Sequence, residues 1–298
     1  MKEKNEFHLY AMITIIFWSL AYVLTKLALQ YFTTFSLGFL RYFIATGTLL
    51  VVAIVTKMKL PSIKDLPVFI LAGMFGFFFY MIGFNQGQQK VTASTASIVI
   101  STVPVLTALI ARIVYKEKLS FIKWLAILVE FAGVAVLTLL DGLISINIGL
   151  LWLLFAALSL SIYNLLQKKL TKKYSALQTS AFSIFFGTVL LSVFSPISIK
   201  EASDAPALQW LYLIVLGIFS SAIAYVSWSM AFAKAKQTSQ VSNYMFITPF
   251  LTSIFGFLIV HEIPEFSTLI GGGIILIGVF VFNFGEKIIK LFTRKAVH

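Results

Sequence analysis

Two ionisable side chains fall well inside the apolar runs of this 298-residue chain, Arg41 and Glu130. A charge placed in lipid is costly and stands as a functional candidate by default. Glu130 has the chemistry of a proton carrier. Arg41 and Glu130 together have the chemistry of an ion pair, provided the segments that carry them adjoin. By helical rise, Arg41 lies roughly 9 Å from one membrane face and Glu130 roughly 14 Å from the other. The repeat described below puts Ile275 opposite Glu130, which favours a structural role for the acid over proton coupling.

The neutral polar residues suggest binding rather than bond chemistry. Ser94, Ser97, Ser101, Ser239, Ser242 and Asn243 occupy the amino-terminal halves of two apolar runs. Helix starts carry partial positive charge and suit a carboxylate; small residues also mark places where membrane helices pack closely. Trp18, Tyr22, Tyr80, Tyr163, Tyr225 and Trp228 could surround an amphipathic solute with rings that carry one polar atom. Interfacial belts use the same residues, so the mid-run Tyr80 and Tyr225 stand out. Asn85 and Asn164 are amides deep enough to require hydrogen bonds. Pro104 and Pro249 each remove a backbone N–H and displace the carbonyl four residues back, on Ile100 and Met245. Such breaks are tolerated in lipid only against protein or a wet cavity, which makes the two prolines candidate hinges.

Enzymatic chemistry finds no support. There is no cysteine, and the three histidines, His8, His261 and His298, are far apart in the chain. No carboxylate pair shares a depth, and no phosphate loop, catalytic triad or metal-ligand spacing occurs. The expectation is neither an enzyme nor a cofactor-bearing protein.

The elements that must position these residues are membrane helices. The chain is 59% hydrophobic and 11% charged, with mean hydropathy +0.96, against about 25% charge in soluble domains. A bilayer core of about 30 Å needs about 20 apolar helical residues. Ten runs qualify: 9–27, 35–56, 66–88, 93–115, 121–140, 149–167, 175–195, 208–233, 237–260 and 266–285. They are too long for barrel strands of about 10 residues. The opening Met1–Lys4 and the apolar stretch after it read as the first span, since no convincing cleavage site follows.

The net charge of +12 sorts by side of the membrane. Alternate loops and the two ends hold 19 basic residues, and the opposite loops hold Lys26, Lys90 and Lys200. This asymmetry puts both termini in the cytoplasm and explains the charge without nucleic acid.

The chain also contains one stretch twice. Shifted by 145 residues, Ser94–Val136 gives ten identities in 43 positions, including Pro104/Pro249, Glu117/Glu262 and Gly133/Gly278. Tyr80 and Tyr225 pair at the same offset, and Gly47 with Gly187 after a small gap. Each half, 1–141 and 142–298, holds five spans, so the second must be inverted. The loop at Glu117 is basic, whereas the loop at Glu262 has no Lys or Arg. Inverted repeats are a transporter architecture, because two similar halves can open a central site to either side in turn.

These residues resemble a known family. The first span reads Trp18-Ser19-x-x-Tyr22-x-x-x-Lys26. The fourth has Ala93-Ser94, Pro104 and Tyr115-Lys116-Glu117-Lys118-Leu119. The ninth has Ser239, Pro249 and His261-Glu262-Ile263-Pro264, followed by Gly271 and Gly278-Val279. Over essentially the whole chain this resembles the drug/metabolite transporter superfamily, specifically the EamA family of ten-span permeases. The resemblance implies an all-α membrane protein of ten helices, two inverted five-helix repeats around a central cavity. Spans 1, 3, 4, 6, 8 and 9 would line that cavity, and spans 5 and 10 would be peripheral. Many relatives export amino acids or similar metabolites. Glu130 and the glutamine-rich end of span 3 depart from the family pattern.

The expectation is therefore an alternating-access permease of the cell membrane, monomeric or homodimeric, with a small-molecule substrate and lipid as partners. Uptake of a nutrient or cofactor is the nearest rival. A non-transporting sensor or scaffold is the rival from another class.

Overall fold

The computed structural model describes residues 6–116, 119–139, 147–234 and 243–295, and every regular element among them is helical. Glu117, Ser239 and Ser242 lie outside the described residues. Helices α1 (Glu6–Ala28) and α2 (Thr34–Val55) are continuous. Helix α3 (Ile63–Gln88) and helix α4 (Ala93–Val114) each cross as one span but contain an irregular turn. Helix α5 is Phe121–Leu139 and α6 is Ile148–Leu170. Helix α7 (Ala176–Ser203) and α8 (Ala207–Ala231, extending to Lys234) follow. Helix α9 is Ile247–Val260 and α10 is Phe266–Lys295.

Eight of these, α1–α4, α6–α8 and α10, are long and apolar enough to cross a membrane. The expected ten runs thus resolve into eight such helices plus two others. Helix α9 is described over only 14 residues, because 237–242 of its run lie outside the described residues. Helix α5 has 19 residues and carries Lys123 and Glu130. The chain is a multi-pass all-α membrane protein whose outer faces present large apolar side chains such as Ile54, Ile113, Leu128 and Phe257.

Local chemistry starts the helices where the sequence changes character. Thr33, Thr92 and Ser175 accept hydrogen bonds from the backbone N–H three residues on, and Asn147 accepts from Gly149. These side chains satisfy donors that the first helical turn leaves orphaned. On the surface, the first turn of α3 meets the loop before α7. The Lys173 ammonium and the Tyr174 hydroxyl both donate to Asp65 at 2.5 Å.

The packing has an internal pseudo-symmetry. Helix α2 lies on α8 as α7 lies on α3, and α1 lies on α9 as α6 lies on α4. The match reaches the backbone. Lys116 and His261, one repeat apart, both end their helices in the left-handed region, at φ 55° and 53°. Glycine allows the close α3–α7 crossing. A Cβ on Gly187 would stand 2.4 Å from the Cβ of Phe77 and 3.0 Å from the carbonyl oxygen of Gly73. Neither atom can swing away as a long side chain could. Gly187→Ala is therefore expected to destabilise the fold by about 1–3 kcal/mol, read as a lower unfolding temperature in detergent. An unchanged temperature would mean that α3 and α7 part freely.

Helices α5 and α10 pack chiefly on each other. Gly133 faces Ile275 and the Gly271 carbonyl, and Gly278 faces Glu130. Helix α10 also reaches α4, where Gly272 meets Ile98 and the hydroxyls of Thr95 and Thr268 are 2.6 Å apart.

Candidate functional site: a cavity at the helix breaks

Helices α3, α4 and α8 lose their regularity partway along and a 3₁₀ turn opens α9, and these irregular turns form pseudo-symmetric pairs. In α4 the amino-terminal piece stops at Ile100 and the second piece starts at Val103, with Pro104 in its first turn. Between them Thr102 N–H bonds only to the Val99 carbonyl, a tighter three-residue closure. The hydroxyls of Ser97, Ser101 and Thr102 donate to the carbonyls of Ser94, Ile98 and Val99. In α9 a 3₁₀ turn, Asn243–Phe246, leads into Ile247, with Pro249 in the first turn. Proline cannot accept the preceding helix's geometry unchanged, because it lacks the donor and its ring crowds the carbonyl four residues back.

A neighbouring helix serves each break in the same way. The Ser19 hydroxyl of α1 donates to the carbonyl of Thr248, just before Pro249, at 3.3 Å. The Ser161 hydroxyl of α6 donates to the carbonyl of Val103, just before Pro104, at 3.1 Å. Ser19 belongs to the first-span motif quoted above, whereas no motif marks Ser161.

The second pair of breaks has no proline. Helix α3 widens into a π-helix over Met74–Phe79, and α8 does so over Val215–Ile223. Each returns to α-helix at a repeat-mate tyrosine or one residue before it, Tyr80 in α3 and Ala224–Tyr225 in α8. Such π segments are rare and concentrate at functional sites. The one residue-level sign is a glycine in each, Gly76 and Gly217. Gly76 lies against the Tyr163 ring and Gly217 against Ile44.

The four breaks surround a cavity. Its wall comprises Trp18, Ala21 and Tyr22 of α1, Arg41 of α2, Tyr80 and Phe84 of α3, and Ser97, Ile100 and Ser101 of α4. Leu160 of α6, Tyr225 of α8, Met245 and Thr248 of the α9 break complete it. The cavity volume is only about 30 Å³, so its walls are drawn close. Trp18 rests on Tyr225 at 5.3 Å and on Trp228 at 5.1 Å between ring centroids, and Tyr22 and Tyr80 both meet Phe84.

Of the described residues singled out from sequence, Trp18, Tyr22, Arg41, Tyr80, Ser97, Ser101 and Tyr225 meet on this wall. The other described ones sit behind or beyond it. Tyr163 packs on Phe77 at 5.2 Å. Trp228 joins Phe7, Ala11 and Ile15 in a cluster at the α1 start. Asn85 donates to the Thr34 carbonyl at 2.7 Å and ties α3 to α2. Asn164 reaches the Thr107 hydroxyl at 3.4 Å. The Ser94 hydroxyl accepts from Ser253 at 3.1 Å, and Asn243 opens the 3₁₀ turn.

Arg41 and Glu130 occupy different interfaces. The Arg41 Nε donates to the Ser221 hydroxyl at 2.7 Å, in the contact between α2 and α8. Glu130 is 3% exposed and lies on Gly278, in the contact between α5 and α10. No ion pair joins the two. Arg41 is the wall residue whose direction sequence alone could not supply, since it depends on how α2 rotates against α8.

The cavity lies between two sets of bridges. At one end Lys26 donates to the carbonyls of Gln88 and Val91. There too the Glu262 carboxylate accepts the N–H groups of Ala93 and Ser94, both at 3.2 Å, at the positive start of α4. At the other end, about 27 Å along α1, His8 hydrogen-bonds the Tyr244 hydroxyl.

Comparison with known proteins agrees with this architecture. The EamA-like transporter family matches the chain twice, over residues 7–139 and 147–284. An uncharacterised transporter of Bacillus subtilis, YdfC, is 33% identical over 279 residues, covering 92% of this chain and 90% of that one. A protein of Streptantibioticus cattleyicolor named "Probable terminal-alkyne amino-acid exporter" is 26% identical over 271 residues, 91% of each chain. A solved crystal structure superposes with a TM-score of 0.61 over 93% of this chain and 97% of that one. At 18% identity that likeness speaks to fold alone.

Proposed function

The chain belongs to the EamA-like transporter family, and on that premise we propose that it is an alternating-access exporter of amino acids or related small metabolites. As a family member it is a transporter of small molecules. Export and the amino-acid class are our reading. The observation that carries it is the ring of paired breaks, α4 with α9 and α3 with α8, around one aromatic and hydroxyl-lined cavity. A site surrounded by symmetric irregular turns can be exposed from either end by similar motions of similar halves. The name of the Streptantibioticus relative supports the amino-acid class.

In this reading, residues 1–141 and 142–298 are two inverted five-helix repeats that rock about the breaks at Pro104 and Pro249. Trp18, Tyr22, Tyr80, Ser97, Ser101 and Tyr225 contact the solute. Glu130 holds α5 to α10, away from the path. The basic loops and both termini face the cytoplasm of a cell membrane. No covalent step is needed; the protein's work is to bind, enclose and release.

The test is release of a labelled amino-acid panel from proteoliposomes that contain the purified full chain. Loss of at least one amino acid well above protein-free liposomes is expected. Retention of the whole panel would overturn the amino-acid reading, and accumulation driven only inward would favour uptake instead.

A further inference from the structure

Arg41 is the charged residue of the cavity wall among the described residues, and its surroundings leave that charge unanswered. It is 4% exposed. A guanidinium carries five N–H donors and no acceptor, so burial leaves donors that need partners. Only Nε has a partner among the described residues, the Ser221 hydroxyl at 2.7 Å. Among the described residues no carboxylate lies within 4 Å, and a ring partner is Tyr42 at 5.7 Å. The two terminal nitrogens therefore keep their donors for whatever enters the cavity.

Lys26 shows how the same helices neutralise a cation that is only structural. Its ammonium sits on the Gln88 and Val91 carbonyls at the end of α3, where the helix is partially negative. Arg41 has no such arrangement. Nor does it belong to the symmetric scaffold. In the register that pairs Gly47 with Gly187, its counterpart in α7 is Ala181. The fold places a small apolar residue there in one half and a cation in the other.

We propose that Arg41 is an anion subsite of the central cavity and that the transported solute carries a single carboxylate. Guanidinium takes a carboxylate through two parallel N–H···O bonds. Ser97, Ser101, Thr248 and the three tyrosines border the same space, and Trp18 and Tyr225 offer ring faces to the rest of the molecule. One fixed positive charge balances one negative charge; a phosphate dianion would remain half unpaired in this wall. The assignment rests on the transporter reading, and it narrows the solute class.

The experiment loads proteoliposomes with a mixture of the proteinogenic amino acids, their carboxamides, their decarboxylated amines and a sugar phosphate, and reads release by mass spectrometry. Wild type is expected to release carboxylate-bearing members over their amides. Arg41→Gln should lower that release by roughly thirty-fold, the size expected when one partner of a buried charged pair is removed, and erase the preference over amides. Ser221→Ala, which keeps the charge, should preserve the preference. Movement of amides, amines or the phosphate in place of carboxylates would overturn the assignment, as would Arg41→Gln with an unchanged preference. If wild type releases nothing, the transport reading fails. Arg41 is then judged by binding: millimolar benzoate, against benzamide, should raise the unfolding temperature of wild type and not of Arg41→Gln. Equal effects on both proteins would end the proposal.

Discussion

A Ser94→Cys/Ser253→Cys protein, once oxidised, is expected to lose transport to background and to regain it on reduction. The two hydroxyl oxygens are 3.1 Å apart, and a disulfide draws sulfurs to about 2.05 Å with Cβ atoms about 3.5–4.5 Å apart. Small shifts therefore suffice to form the bond. The chain has no cysteine, so no other disulfide competes. The link would join α4 to α9, the helices that carry Pro104 and Pro249, at the end where Glu262 caps α4. If the halves must separate there to admit or release solute, a covalent tie stops the cycle. Single-cysteine proteins treated with the same oxidant should transport normally. An oxidised, fully cross-linked protein that transports at the wild-type rate would show that this end stays closed throughout, and alternating access about these two helices would fall.

Filling the cavity is the second large effect. Ser97→Phe puts a benzyl group on the wall of a cavity of only about 30 Å³. The neighbouring Ile100 and Ser101 are held in the α4 turn by backbone bonds and cannot retreat without breaking them. Overpacking of this kind costs about 1–3 kcal/mol, a loss that lowers the unfolding temperature without abolishing the fold. Transport should fall to background, whereas Ser97→Ala, which only deletes a hydroxyl bonded to its own helix, should lose transport only in part. Measured release from proteoliposomes containing equal amounts of folded protein decides it. Full release by Ser97→Phe would mean that the solute path avoids this cavity.

Both outcomes bear on how a small motion could open a closed site. The paired breaks replace part of the stiff helical ladder with turns whose carbonyls are met by side chains from another helix, Ser19 on Thr248 and Ser161 on Val103. A hydroxyl can follow a carbonyl through a small rotation, whereas an α-helical hydrogen bond fixes its own geometry. The π segments of α3 and α8 act on the same wall by turning Tyr80 and Tyr225.

The sequence by itself determined the helical membrane class, the two-fold repetition and the positions of the proline breaks. These are properties of composition and spacing along one dimension. Lipid demands long apolar helices, a repeat is visible as identity at a fixed offset, and proline acts on its own backbone. It also put Trp18, Tyr22, Tyr80, Ser97, Ser101 and Tyr225 among a longer set of cavity candidates, without separating them from Tyr163, Trp228, Asn85 and Asn164. The tertiary structure decided what depends on how one helix is rotated against the next. It turned Arg41 to the cavity and Glu130 to the α5–α10 seam, and it set Asn85 and Tyr163 behind the wall. The π turns also belong to it, since no residue type compels them.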